Sequence, residues 1–316
     1  MGSMNHPQPE REVRVAQAGR DELAERVARA VGEDGAVEAP GGLRLLRQSA
    51  PTPMDHGVSS PAFCVIAQGA KEVWLGDDCY RYDADRYLIT AAALPTATRV
   101  TGASAERPYL GVVLGLDPAL VGSVMVEAGH PAPGDRAAVR AFDVSPLDGS
   151  LLDAVVRLVG LLDAPAEEAR FLGPLVTREI VFRLLRGEQG VRLRQIAVQG
   201  GHAHRIAMTL ERLREDFDRP LRVEDVARES GMSVSGFHHH FKAVTAMSPL
   251  QFQKRMRLQE ARRLMLGEDL DAASAGFRVG YGDPSHFTRD YKRLFGAPPM
   301  RDVEQLREAA VGGAGL

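Results

Sequence analysis

Between Leu43 and Leu116 the chain alternates short apolar runs with turn residues, and the runs are too short and too closely spaced for helices. Leu43–Arg47, Phe63–Gln68, Glu72–Leu75, Cys79–Tyr82, Tyr87–Thr90, Thr98–Thr101 and Tyr109–Leu114 read as strands, broken by Gly69, Gly76-Asp77-Asp78, Asp83–Asp85 and Gly102. Strands at this spacing predict an antiparallel sandwich or barrel, with Glu72–Tyr82 as its best hairpin and Gly76-Asp77-Asp78 as the turn. On either side the apolar period becomes helical. Asp21–Val31 places Leu23, Val27, Ala30 and Val31 on one face, and Pro118–Ala128, Leu151–Leu162 and Glu168–Arg186 follow, with a Pro/Gly-rich break at His130–Asp135. Leu151, Leu152, Val155, Val156, Leu158, Val159 and Leu162 form a face broader than one barrel covers, which predicts packing between domains or between two copies in a homodimer. Gly187 to Gly201 reads as a boundary.

From His204 onward the pattern is helical, and one element occurs twice. In the first copy Ser233 stands as an N-cap, Phe237, Phe241 and Val244 share one side of a helix, and Ser235, His238, His239 and Lys242 share the other, with His240 at the edge of the apolar stripe. A single helix of this kind is most simply a core helix with a solvated face. However, Ser233, Phe237, Phe241, Lys242 and Pro249 are matched fifty positions later by Asp283, Phe287, Tyr291, Lys292 and Pro299, and Gly231-Met232 is matched by Gly280-Tyr281. Each copy follows a short helix, Val223–Ser230 or Asp271–Val279, so each reads as a helix-turn-helix whose second helix suits the major groove of DNA. Leu250–Leu266 between them, as a helix of about 25 Å, is long enough to hold the two second helices near one DNA turn, about 34 Å, apart.

Composition narrows the classes. At 316 residues, 44% hydrophobic and 26% charged, the chain suits a globular protein of two domains. No apolar run reaches the roughly 18 residues of a membrane helix, and nothing near the N-terminus resembles a secretion signal, so a cytoplasmic location away from the membrane is expected. Net charge is −3, yet residues 201–316 carry 18 Lys and Arg against 16 Asp and Glu, together with six of the nine histidines. That bias points weakly to a polyanion. Cys64 and Cys79 are too few for a disulfide framework or a zinc site, and the strand region holds only His56, so neither a metal nor another cofactor is expected. Phe63, Cys64, Trp74, Tyr80, Tyr82, Tyr87 and Tyr109 are candidates to line an effector pocket; the alternative, that several are ordinary core or strand-surface residues, stays open.

The run Leu221-Arg222-Val223-Glu224-Asp225-Val226-Ala227, then Gly231-Met232-Ser233, Phe237, Phe241-Lys242 and Ser248-Pro249, resembles the AraC/XylS family of bacterial transcription regulators. So does its continuation in Val279-Gly280-Tyr281, Ser285-His286-Phe287, Arg289, Tyr291-Lys292-Arg293 and Phe295-Gly296-Ala297-Pro298-Pro299. Upstream, Gln68-Gly69-Ala70-Lys71, Trp74-Leu75-Gly76 and Tyr87-Leu88 are similar to the cupin-like effector domain of one subgroup of that family. The resemblance implies base-reading roles for Ser235, His238 and His239 and for Pro284, Ser285, Thr288 and Arg289. It implies phosphate contacts for Ser233, Lys242, Lys254, Arg255, Lys292 and Arg293. Arg289 stands out, because a guanidinium can grip guanine O6 and N7 together. Two departures from the family pattern are Gly276, where alanine is favoured and glycine costs about 1 kcal/mol in a helix, and His238-His239, where larger polar or basic residues are frequent.

The expected architecture is an α+β multidomain protein, with an N-terminal cupin-like β-barrel trailed by helices and a C-terminal all-α double helix-turn-helix. Residues 1–20 are expected to be disordered or tag-derived, 21–130 to form the effector-sensing domain, 131–200 a helical linker and dimerisation region, 201–307 the DNA-binding domain, and 308–316 a flexible tail. The expected function is transcriptional regulation, not catalysis: promoter DNA read in adjacent major grooves, a small-molecule effector sensed by the barrel, and RNA polymerase as a partner if the protein activates. One alternative keeps the scaffold and makes Cys64 or Cys79 a sensor of oxidants or electrophiles. Another, a cysteine-dependent DNA repair methyltransferase, lacks the zinc-bound cysteine cluster such enzymes carry.

Overall fold

Opposite faces of one sheet serve two different interiors, and this division organises the N-terminal half of the protein. The computed structural model describes residues 8–129, 139–197 and 202–312. It divides into two units, Met1–His204 and Arg205–Leu316. The first begins with helix α1 (Gln8–Val31) and strands β1 (Gly35–Ala39), β2 (Leu43–Gln48), β3 (Asp55–Val58), β4 (Ala62–Gln68) and β5 (Ala70–Leu75). Strands β6 (Asp78–Asp83), β7 (Arg86–Thr90), β8 (Pro95–Val100) and β9 (Tyr109–Gly115) follow, then α2 (Pro118–Glu127), β10 (Phe142–Pro146), α3 (Gly149–Gly160), α4 (Ala166–Arg186) and α5 (Gly190–Ala197).

The strands form a six-stranded sheet in the order β1-β2-β9-β4-β7-β10 and a four-stranded sheet in the order β3-β8-β5-β6, antiparallel throughout. Every strand expected from the sequence is present. Of the expected sandwich or barrel, the two-sheet form is found: among the described residues no strand hydrogen-bonds to both sheets, so the barrel is not closed. Three strands escaped the apolar pattern. β1 (Gly-Ala-Val-Glu-Ala) and β3 (Asp-His-Gly-Val) are short, mostly exposed edge strands. β10 is held at the opposite edge by its pairing with β7. In the β5–β6 hairpin Leu75 pairs with Asp78, so Asp78 belongs to the strand and the turn is Gly76-Asp77 alone, with Gly76 at φ 64°.

Side-chain alternation sorts the six-stranded sheet. Leu43, Leu45, Phe63, Val65, Tyr87, Ile89, Leu110, Val112 and Leu114 face a core shared with Leu23 and Val27 of α1, Leu151, Leu152 and Val155 of α3, and Ile180, Val181 and Leu184 of α4. Their neighbours Arg44, Leu46, Cys64, Leu88, Thr90, Tyr109 and Val113 line a cavity that is also lined from the smaller sheet. The helices over 149–186 thus pack on the same core as the sheet, within the first unit. The Pro/Gly-rich segment His130–Asp135 lies outside the described residues. The stretch expected as a boundary contains α5, whose Arg192 donates to Arg140 O (2.6 Å), Gln189 Oε1 (2.9 Å) and Asp143 Oδ2 (2.8 Å), tying it to β10.

Helix α1 also starts earlier than its apolar stripe. From Gln8 to Arg20 it is built of helix-favouring but mostly polar residues, so no amphipathic signal marks it. Its register is carried by the half that is anchored: Arg20 reaches Asp85 at 2.6 Å and Ala84 O at 3.1 Å, and Leu23 and Val27 are fully buried. Residues 8–20, within the segment expected to be disordered or tag-derived, are helical. Leu23→Ala is expected to destabilise the N-terminal unit by about 2–5 kcal/mol, whereas Val15→Ala, on a residue 67% exposed at its neighbour Val13 and 64% at its own position, should leave the urea midpoint unchanged.

Candidate nucleic-acid interface and ligand cavity

The second unit is all-helical: α6 (His202–Glu215, which begins just before the division), α7 (Val223–Glu229), α8 (Val234–Thr245), α9 (Pro249–Gly267), α10 (Ala272–Arg278), α11 (Pro284–Phe295) and α12 (Pro299–Gly312). α7–α8 and α10–α11 are the two helix-turn-helix copies. The turn glycines Gly231 and Gly280 have φ 63° and 88°, a conformation that only glycine adopts without strain. Ser233 caps α8 by accepting from Gly236 N (3.1 Å), and Asp283 caps α11 by accepting from Ser285 N (2.6 Å) and His286 N (3.3 Å), with Pro284 at the first helical position. Both second helices end in left-handed residues fifty positions apart, Ala246 (φ 60°) and Gly296 (φ 84°). The 19-residue α9 joins them, opened by a capping box between Ser248 and Gln251.

Each second helix is seated by aromatics. Phe237, Phe241, Phe287 and Tyr291 are fully buried, with ring centroids 5.5 Å apart within each pair. This packing turns the opposite faces outward, and Ser235, His238 and His239 on α8 and Pro284, Ser285, Thr288 and Arg289 on α11 are all exposed. Lys242, Lys292 and Arg293 are exposed as well, and, like Arg289, they make no ion pair among the described residues. Two phosphate candidates behave differently. Lys254 is held by Asp290 at 2.6 Å, and Arg255 is half-buried with a partner inside the protein, so neither offers a free cation. Ser233 keeps its hydroxyl near Ser235 Oγ (3.3 Å) while serving as the cap.

The residues that position these helices were not singled out from the sequence. Arg257 on α9 donates to Phe217 O (2.6 Å), Asp218 O (3.0 Å), Arg219 O (2.9 Å) and Gly280 O (2.9 Å), so one guanidinium joins the segment after α6 to the turn of the second copy. Arg262 forms a buried bidentate pair with Asp302 of α12, both contacts at 2.8 Å, and Tyr291 donates to the same carboxylate at 2.7 Å. Burial and the adjoining carboxylate together push the Tyr291 phenol far above its ordinary range, so it remains a donor. Gly276 is explained by the same packing. A Cβ there would lie 2.9 Å from Cγ of Phe287, so the glycine is where α10 receives the α11 ring.

In the first unit the intersheet cavity has a volume of about 740 Å³. Of the candidates drawn from the sequence, Cys64, Tyr82 and Tyr109 line it. Phe63 and Tyr87 do not; they lie on the helix side of the six-stranded sheet, in edge contact with centroids 5.4 Å apart. Trp74 is turned to the outer face of the smaller sheet, under Arg99 at 5.2 Å, and Tyr80 packs on Phe142 at 4.8 Å outside the lining. Strand parity puts Phe63, Tyr87 and Trp74 on the other side of their sheets; Tyr80 shares the side of Tyr82 on β6, but its ring lies against Phe142, which itself lines the cavity. The cavity instead contains a residue that aromatic character could not reveal, Lys71, which lies directly opposite Tyr82 on the β5–β6 ladder.

Burial raises the Cys64 thiol to about 11, with the charge of Lys71 only partly opposing it. At neutral pH it is therefore the protonated thiol, a poor nucleophile. Cys79 is exposed on the outer face and is likewise shifted up, by desolvation and by Glu72. Neither cysteine has the lowered pKa that thiol sensing exploits. Among the described residues no group of three or more His, Cys, Asp or Glu could hold a metal, and no helix is long and apolar enough to cross a membrane.

A sandwich with a cavity between its sheets, followed in the chain by two helix-turn-helix copies flanking one long helix, defines a two-domain protein with a DNA-binding module. The family described as AraC-type transcriptional regulator N-terminus matches residues 40–192, and the helix-turn-helix domain family matches residues 226–305. The transcriptional activator RhaS of Salmonella schwarzengrund is 30% identical over 165 residues, which cover 51% of this chain and 57% of that protein. RhaS of Salmonella typhi is 29% identical over 165 residues, so the chain spans about half the length of the curated relatives it matches. ToxT from Vibrio cholerae shares the fold, with a TM-score of 0.52 and 11% identity over 83% of this chain and 97% of that one. The chain belongs to the AraC/XylS family of transcription regulators.

The repeat also gives paired stability tests. Ala246→Gly, at a left-handed cap where the second copy already has glycine, should stabilise the DNA-binding unit by about 0.5–1 kcal/mol. Gly276→Ala should do the opposite despite alanine's better helix propensity, costing about 1–3 kcal/mol through overpacking against Phe287. Thermal unfolding of the two variants measures both signs.

Proposed function

We propose that the protein is a sequence-specific transcription regulator that reads two adjacent major grooves with α8 and α11 and senses a small molecule in its intersheet cavity. The observation that carries the reading is the duplicated helix, capped alike and seated alike, whose outward face is polar in both copies. In this assignment Ser235, His238 and His239 read one site and Pro284, Ser285, Thr288 and Arg289 the other. Lys242, Lys292 and Arg293 contact phosphates, with the Ser233 hydroxyl beside them. Pro284 has no N–H to donate and contributes only apolar contact, so Arg289 carries the strongest single base contact. A mobility-shift titration on promoter DNA tests this. Arg289→Ala should cost about 1–3 kcal/mol and relax preference at one base position, whereas Lys292→Ala should weaken all sequences about equally and reduce the salt slope by about 1. Equal losses on specific and random DNA for Arg289→Ala would remove it from base reading.

The active form in this proposal is a homodimer joined through α4. Phe171 and Leu175 are 71% and 53% exposed one helical turn apart, and Phe182 continues the stripe at 38%. Such a dimer sets two DNA-binding units on one promoter, from which the protein meets RNA polymerase if it activates. Phe171→Asp with Leu175→Asp should convert a dimer to a monomer in light scattering; an unchanged mass would place the interface elsewhere.

A further inference from the structure

We propose that the ligand of the intersheet cavity is an organic carboxylate with an apolar body, anchored at its acid end by Lys71, Tyr82 and Tyr109. The inference rests on the reading of the cavity as a ligand site and names the class of ligand it takes. Three features converge. First, β-sheet parity points Lys71 inward beside Val73, while Glu72 and Trp74 of the same strand are spent on Arg99 at the outer face. Among the described residues Lys71 has no hydrogen bond or ion pair, although burial works against its charge. Its attractive neighbour, Asp55, lies exposed at the rim, where Arg44 pairs with Glu38 at 3.1 Å. Lys71 is half-buried in the cavity wall, and an ammonium there without an ion-pair partner is under-compensated. A bound carboxylate supplies the missing countercharge.

Second, the hydroxyls around it are donors. Tyr82 pairs directly across the ladder from Lys71, Cys64 is near enough to Lys71, Tyr82 and Tyr109 to couple with their ionisation, and Tyr109 is near enough to couple with Tyr82. Burial raises both phenols well above their ordinary value, so each keeps its proton, and neither phenol makes a hydrogen bond within the described residues. One ammonium and two phenols match the lone pairs of a carboxylate. A cationic ligand would meet the same group with repulsion, and an alcohol would leave the ammonium unpaired. Third, the remainder of the lining includes Leu46, Val73, Leu88, Val100 and Val113, and about 740 Å³ accommodates an apolar body larger than the acid group itself.

Calorimetric titration of the full chain with three matched probes tests the class: 4-butylbenzoate, 4-butylbenzyl alcohol and 4-butylbenzylamine. The acid is expected to bind at least tenfold more tightly than the alcohol, and the amine more weakly than either. Lys71→Met should remove the preference for acid over alcohol while leaving alcohol binding intact, which shows that the cavity remains folded. Tyr82→Phe and Tyr109→Phe should each weaken the acid severalfold and the alcohol less. Equal affinity for acid and alcohol in the unaltered protein, or an acid preference that survives Lys71→Met, overturns the assignment of a carboxylate. If the alcohol binds as well as the acid and changes affinity for promoter DNA, the sensing reading stands and only the ligand class falls. If none of the three binds, both fall.

Discussion

One guanidinium holds the DNA-binding unit in a single frame. Arg257 sits on the connecting helix and donates to three successive carbonyls, Phe217, Asp218 and Arg219, and to the carbonyl of Gly280 in the turn of the second helix-turn-helix. Charge-assisted bonds to backbone acceptors are the stronger kind, and these acceptors belong to different supersecondary elements. Gly280 makes the approach possible: its φ of 88° serves the turn, and a Cβ there would stand 2.1 Å from Asp218 O. The glycine required by the turn is thus also the surface on which the first half rests. Gln253, one turn earlier on α9, adds bonds to Phe217 O at 3.1 Å and Arg219 O at 2.6 Å. Lys254 and Asp290 then fasten α9 to α11. α8 and α11 are held at a spacing set by packing rather than by a flexible linker.

This frame also explains why so small a net charge suffices. The DNA-binding unit has nearly as many acids as bases, but the acids are largely paired off. Arg212 with Glu229, Arg228 with Asp225, Arg263 with Glu260, Arg278 with Glu268 and Arg307 with Asp269 cancel locally. Exposed pairs of this kind contribute little stability, yet they leave the unneutralised cations Lys242, Arg289, Lys292 and Arg293 on the second helices. A count of charges averages over this pattern and understates it. These exposed cations lie on the helices whose other faces the aromatics bury.

What could be read from the sequence follows from the range of the interactions involved. Caps, turn glycines and the 3.6-residue stripe are local, so both helix-turn-helix copies and their exposed faces were legible, as were the strands with apolar runs. The Lys254–Asp290 ion pair leaves no mark in the sequence, because its two members lie on different helices. Arg257 and the Arg262–Asp302 pair were hidden for the same reason. The cavity lining is less legible for a different cause: aromatic type does not tell which side of a sheet a residue takes, whereas parity separates Phe63 from Cys64 and Tyr87 from Leu88 along the same strands. Once the Gly76-Asp77 turn fixes Lys71 opposite Tyr82, the strand itself identifies the inward residues. The polar first half of α1 and the edge strands β1 and β3 carry no such signal, since little of their surface is buried.

The central claim is that the two copies act as one rigid reader. The most direct measurement is affinity for promoter DNA in which the separation between the two contacted grooves is lengthened by half a helical turn, about 5 base pairs. A rigid frame predicts that binding falls to the level of a single half-site, because only one of α8 and α11 can then face a major groove. Affinity retained on the lengthened site would contradict it and show that the two helices reposition independently.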